Sequence, residues 1–334
     1  MPARMDLSDL AHERPNLRDE PTGREIATLT RFLAAGSSAA VFAGTTPLGQ
    51  AVAVKILLPK ARRELLRRGM DPQRLFARER ETHEAVAAIG GSPSLCPVLD
   101  HGITTVAFAN GTLSLPFLVT SLVPEEPHGA TLEERILRAG RGVPLHRARR
   151  LLAGVFAGTA ALHRAGVVHR DLSPGNILVR GPLDAEEALV ADGGIARVPN
   201  TETLGLAART SSYGSPEQAL VTSPGPNPLV GFRSDVHAVA ALTFFVLAGR
   251  GWAEIAPQFP RGERTPLPRD LLDSSVLPRA SALDAVLARG ASARLALDEP
   301  RALLARLPKS SAAPRYETLS ELADALWPLL RESD

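Results

Sequence analysis

Asp171 and Asn176 stand in the run His169-Arg170-Asp171-Leu172-Ser173-Pro174-Gly175-Asn176-Ile177-Leu178-Val179, and a second carboxylate, Asp192, follows sixteen residues after the asparagine. The run places a carboxylate and an amide in a tight turn that feeds an apolar strand. A carboxylate accepts protons, and carboxylate and amide oxygens are the donors that a hard divalent cation takes. An isolated Asp-x-x-x-x-Asn means little, whereas the same pair inside this longer run is specific. A cation stands at the end of another run, Val52-Ala53-Val54-Lys55. A strand-end lysine ordinarily extends to solvent, so its meaning depends on the elements around it.

Those elements are legible in outline. Ile26 to Leu33 alternates as a strand, a small-residue turn follows through Ala34-Ala35-Gly36-Ser37-Ser38-Ala39-Ala40, Val41 to Gly44 resumes strand character, and Ala51 to Leu57 is a third strand. Small residues in such a turn let backbone amides approach phosphate oxygens closely. Asp71-Pro72 opens a helix with a sparse apolar stripe of Leu75, Phe76, Val86 and Ile89, and this helix carries Glu79, Glu81 and Glu84. Val98 to Gly102 and Leu113 to Val123 read as two further strands. Thr131 with Glu134 forms a capping-box pattern, and Pro144 to Ala165 carries apolar residues at helical spacing before Gly166. Ala188 to Ala191 is a strand that brings Asp192 back beside Asn176. Asp235 caps an apolar helix running to Ala248, residues 252 to 280 are proline-rich and irregular, and Ser281 to Leu287 and Thr318 to Leu330 are helical.

In this order the motifs resemble those of eukaryotic-type serine/threonine protein kinases, in a bacterial-like, soluble form, over approximately residues 26 to 330. The resemblance implies an α+β, two-lobed protein-kinase-like fold: a small antiparallel β-sheet N-lobe with one main helix, and a larger, mainly helical C-lobe. It implies a polar N-terminal extension (1–25) and a kinase domain (26–330), divided into an N-lobe at 26–120, a hinge at 121–124 and a C-lobe at 125–330, with an insertion at 291–311. It implies ATP and Mg²⁺ (or Mn²⁺) as cofactors. Asp171 then accepts or orients the proton of the acceptor hydroxyl, and Asn176 and Asp192 hold the metal. Lys55 contacts the α- and β-phosphates, and Glu79 pairs with it. The glycine-loop pattern falls on Ala34, Gly36, Ala39 and Val41, of which only Gly36 keeps the glycine. Ala53, the gatekeeper Thr120 and the hinge residues Ser121, Leu122 and Val123 would meet the adenine.

The resemblance also makes residues 195 to 216 an activation segment, with Thr201, Thr203, Thr210, Ser211 and Ser212 as available hydroxyls and Arg170 as a phosphate-binding partner. Tyr213-Gly214-Ser215-Pro216-Glu217 matches the end of that segment, with Glu217 expected to pair with Arg315. Asp235 is expected to hold the backbone of the catalytic loop, and His169 to be structural. Four departures stand out: the thinned glycine loop, Asp192-Gly193-Gly194 where the family has Asp-Phe-Gly, Ser173 where a lysine is usual, and His83 where an apolar stack normally continues. An active kinase is the leading reading, and a pseudokinase acting as a nucleotide-binding or scaffolding module is the alternative. A small-molecule kinase of the aminoglycoside type is disfavoured by His169-Arg170-Asp171 and Ser215-Pro216-Glu217.

The bulk properties fit this reading. The 334 residues carry 38 Lys and Arg against 36 Asp and Glu, a net charge of +2 that argues against a nucleic-acid partner. The single cysteine, Cys96, forms no intramolecular disulfide and fits a reducing compartment. The polar N-terminus lacks an apolar signal region. The most apolar run, Val236 to Ala248, falls short of the roughly 20 residues that cross a bilayer. A cytoplasmic protein without a membrane span is expected, acting on protein substrates, itself included through autophosphorylation.

Overall fold

The structure, a computed structural model, describes residues 15–36, 38–67, 69–108, 111–124, 127–193, 202–203, 213–219, 225–226, 230–251, 254, 266–290 and 315–331. The described residues of Met1–Glu84 and Cys96–Val123 form one compact unit, and those of Ala85–Leu95 and Pro124–Asp334 form another. The insertion expected at 291–311 lies outside the described residues.

The first unit is built on a six-stranded sheet of β1 (Asn16–Asp19), β2 (Arg24–Ala35), β3 (Ala39–Thr45), β4 (Ala51–Leu57), β5 (Val98–Phe108) and β6 (Gly111–Ser121), in the order β1-β2-β3-β4-β6-β5. Every pairing between neighbours is antiparallel. Side chains alternate across a strand, so β4 buries Val52, Val54 and Ile56 on one face and turns Ala53 and Lys55 to the other. Phe42, Leu29, Leu115, Phe117 and Val119 complete the apolar cluster on the buried face. The polar stretch expected to run to residue 25 enters the sheet at Asn16. Leu17 is buried, the Glu20 amide donates to Ile103 O at 2.8 Å, and Arg24 makes two hydrogen bonds to Asp100 at 2.6 and 2.8 Å. The first strand is thereby tied to both β2 and β5.

Two helices follow β4. The basic run Lys60, Arg62, Arg63 and Arg67 lies on a helix, α1 (Pro59–Arg67), seated through the buried Leu65. Helix α2 (Gln73–Ala87) starts where Asp71 accepts the Gln73 amide at 2.9 Å. Its buried positions Phe76, Glu79 and Thr82 recur at helical spacing, which places a carboxylate inside the buried stripe. Ile89, expected on that stripe, lies beyond the helix end and is 49% exposed.

The second unit is mainly helical. Thr131 and Glu134 close the expected capping box at α3 (Leu132–Ala139), followed by α4 (Leu145–Arg164), a hairpin of β7 (Ile177–Arg180) and β8 (Glu187–Val190), α5 (Phe232–Ala248), α6 (Ala280–Gly290) and α7 (Leu319–Leu326). Helix α5 is buried along nearly its whole length, which explains why its sequence is apolar all round. Helix α4 packs directly on the hairpin because two of its residues lack side chains. A Cβ on Gly154 would strike the Ala188 backbone, and one on Gly158 would lie 2.5 Å from Ser94 O and 2.7 Å from Val190 Cγ2. This close approach fixes the strand pair that ends in the chemically important residues. The antiparallel sheet unit with its main helix and the larger helical unit match the expected α+β class.

Candidate active site

In the first unit, the strand register gathers the expected nucleotide residues on one face. Directly opposed residues of antiparallel strands share a face. Lys55 is opposite Val41 on β3, and Ala53 is opposite Thr120 on β6, so these four lie together on the side away from the apolar cluster. Ser121 pairs with Val52, and Leu122 follows as a half-buried residue past the strand end. Gly36 closes the β2–β3 turn by donating its amide to Ala39 O at 2.9 Å.

Lys55 Nζ lies 3.5 Å from Glu79 Oε2, with the carboxylate side chain 4% exposed and the lysine 17%. The ammonium also stands 5.9 Å from the Phe76 ring centroid, one helical turn before Glu79. Of the three candidate carboxylates, Glu79 is therefore the partner. Glu84 instead pairs with Arg80 at 2.6 Å, and Glu81 is exposed.

The catalytic-loop residues belong to the second unit. Asn176 donates through Nδ2 to Asp171 O at 2.8 Å and to Asp171 Oδ2 at 3.0 Å. Both amide hydrogens are thus committed, and what the side chain retains for a ligand is its oxygen. The Asn176 carbonyl accepts the Ala191 amide at 2.9 Å, which ties the loop to the residue before Asp192. His169 is the other tie. Its Nδ1 accepts the Asp171 amide at 3.2 Å, so the neutral ring carries its proton on Nε2 and donates it to Ala191 O at 3.0 Å. The histidine is structural, as expected, and both peptide units around Ala191 are held.

Asp235, expected to cap α5, lies inside its first turn, where Gly231 is the N-cap and no side chain caps the helix, so its carboxylate is given over to the loop. Its Oδ2 accepts the His169 amide at 2.8 Å and its Oδ1 the Arg170 amide at 2.8 Å, while His163 Nε2 sits 2.9 Å from Oδ2. Burial opposes charge on this carboxyl, but the bond and charge of His163, the nearby His169 and the Arg170 amide hold its pKa below the usual carboxylate value. His163, on α4, is part of this anchor. Arg170 and Asp192 are the two non-glycine residues with left-handed backbone among those described, at φ 71° and 62°. Such strain persists only where the surroundings over-determine it, and here it brackets the proposed chemistry.

The protein kinase domain family matches residues 28–255. The chain belongs to the protein kinase domain family. The probable serine/threonine-protein kinase PkwA of Thermomonospora curvata is 32% identical over 228 residues, covering 66% of this chain and 26% of the relative. Serine/threonine-protein kinase PknA of Mycobacterium tuberculosis is 30% identical over 254 residues, covering 73% of this chain and 53% of the relative. The chain thus spans about a quarter of one relative's length and about half of the other's. The crystal structure of the Mycobacterium tuberculosis PknI kinase domain covers 91% of this chain and 96% of its own, with a TM-score of 0.55 at 21% identity, a likeness of fold.

Elsewhere in this kinase-family chain, the expected pair of Glu217 and Arg315 is present. Glu217 meets Arg315 at 2.6 and 3.1 Å with both side chains buried. Burial raises the Glu217 carboxyl, but Arg315, by charge and hydrogen bond, outweighs it and leaves the pKa lowered. Thr201, Thr210, Ser211, Ser212 and Gly194 lie outside the described residues, as does the side chain of Thr203. Arg170 is buried and donates to Val230 O at 3.4 Å. Sequence reasoning missed Gln218, which donates to Arg170 O at 2.6 Å and accepts from Ser215. A lone glutamine after Pro216-Glu217 carries no local signal of a partner 48 positions away.

Proposed function

We propose that this chain is an ATP-dependent protein serine/threonine kinase. The observation that carries the reading is the bonding of Asp171, Asn176 and Ala191 into one unit: a carboxylate oriented by an amide whose free atom is oxygen, with Asp192 one residue from the tie. Asn176 Oδ1 and the Asp192 carboxylate form the all-oxygen donor set that suits Mg²⁺, and they are the residues that would hold it. When bound, the metal supplies neutralisation of phosphate charge.

In this reading the acceptor oxygen of a protein serine or threonine bonds to the γ-phosphorus, its proton passes to Asp171, and the bond to the β–γ bridging oxygen breaks to release ADP. Lys55, oriented by Glu79, holds the α- and β-phosphates from the sheet face it shares with Val41, Ala53 and Thr120. Ser173 supplies no cation near the transferring group, so that charge falls to Lys55 and the metal. Protein hydroxyls, including those of the chain itself, are the acceptors, the role is signalling, and a buried Cys96 with no second cysteine in the chain suits a reducing cytoplasm. The boundaries proposed for the kinase domain remain residues 26–330. The test is transfer from γ-labelled ATP to a generic basic protein at varied Mg²⁺: label on serine or threonine that requires the metal is expected. Nucleotide binding without any transfer across metals and acceptors would overturn the assignment.

A further inference from the structure

We propose that Gln218 is a positioning residue that makes the catalytic-loop geometry depend on the seating of Ser215. The inference rests on the kinase reading above and concerns a residue that this reading does not use. Arg170, immediately before Asp171, has a φ of 71°, a conformation an ordinary side chain leaves unless it is held. Among the described residues, two side chains bond to its own backbone groups, one on each side. Asp235 accepts its amide at 2.8 Å, and Gln218 Nε2 donates to its carbonyl at 2.6 Å. That carbonyl belongs to the peptide group whose amide is Asp171's own, so fixing it fixes the direction in which Asp171 leaves the turn.

The opposite end of Gln218 explains the dependence. Its Oε1 accepts both the Ser215 amide at 2.9 Å and the Ser215 hydroxyl at 3.1 Å. Gln218 is 5% exposed and Ser215 1%, so neither end has water as a substitute partner. The amide group of glutamine is suited to this place because it accepts at one atom and donates at the next. Ser215 therefore orients Gln218 Oε1, and that orientation aims Nε2 at Arg170 O. If Ser215 moves out, Gln218 loses its alignment and the strained residue loses the bond on its carbonyl. Asp235 ties the loop to α5, whereas Gln218 ties it to the Ser215 segment.

The test compares Gln218→Met, which keeps length and loses both polar functions, with Gln218→Glu, which keeps the acceptor and can donate only when protonated. Amide hydrogen exchange over residues 167–176 is read together with steady-state transfer from ATP. For Gln218→Met the expected result is exchange about tenfold faster in the loop, the size of one lost hydrogen bond, with α4 and the β7–β8 hairpin unchanged. Turnover should fall about tenfold to a hundredfold while KM for ATP stays within about twofold, since the damage is to alignment. For Gln218→Glu, turnover relative to wild type should rise as pH is lowered, because the protonated carboxyl restores the donor. Unchanged loop exchange, exchange raised equally throughout the unit, faster loop exchange with full turnover, or a pH-independent Gln218→Glu ratio would each overturn the proposal. Should wild type transfer no phosphoryl group, the kinase reading fails and exchange alone decides whether Gln218 holds the loop.

Discussion

Replacing His83 by leucine should remove a specific acid sensitivity from the first unit. His83 lies four residues beyond Glu79 on α2, is largely removed from water, and makes no hydrogen bond or ion pair among the described residues. Burial alone lowers its pKa from 6.5 to about 4, so the folded protein keeps a neutral ring where the unfolded chain takes up a proton. The unfolded state therefore binds more protons between those values, and stability is full above about pH 6.5 and is lost as pH falls towards about 4. At about 1.4 kcal/mol per unit, the His83 contribution to this loss reaches about 2 kcal/mol at pH 5. Urea unfolding of wild type and His83→Leu at pH 7 and pH 5 isolates it, because every other titrating group is common to both. The variant should gain about 2 kcal/mol on wild type across that interval. A stability difference that stays constant with pH would refute the reasoning.

Arg315→Ala should cost about 3–5 kcal/mol, read by thermal or urea unfolding, because it leaves the Glu217 carboxylate buried without its cation. Gly154→Ala should destabilise by about 1–3 kcal/mol, since the added methyl meets the Ala188 backbone rather than a side chain that can turn away. Asp235→Asn puts an NH₂ group where an oxygen now receives backbone amides, so turnover should fall at least about tenfold while nucleotide affinity measured by titration is kept.

The parts of this molecule that could be read from sequence are those in which local order and chemistry agree. Lys55 was placed by the small-residue hairpin before it, Glu79 by the family resemblance together with its helix after that strand, and the capping box by two residues one turn apart. Asp235 was identifiable through the family resemblance of the catalytic loop that it holds, and not through the cap that its position suggested, since Gly231 occupies that place. What was hidden depends on partners distant in sequence. Strand β1 offers one buried apolar residue, Leu17, and is held by bonds such as that from the Ile103 amide to Asp19 Oδ1, 84 positions away. Helix α1 is dominated by charge, so Leu65 alone gave little periodicity to read. Nothing near His163 in sequence shows that its ring lies 2.9 Å from Asp235, 72 positions away. Gln218 is the extreme case, a polar side chain whose purpose is set by two backbone groups.

The most direct test of the central claim is a single-turnover comparison of wild type with Asp171→Asn, using γ-labelled ATP, Mg²⁺ and a basic protein acceptor, with nucleotide affinity measured on the same samples. The structure predicts unchanged nucleotide binding and a loss of transfer of about 10²- to 10⁴-fold, the usual worth of a positioned general base. Equal transfer rates in the two proteins, or none in either while nucleotide binds, would contradict it.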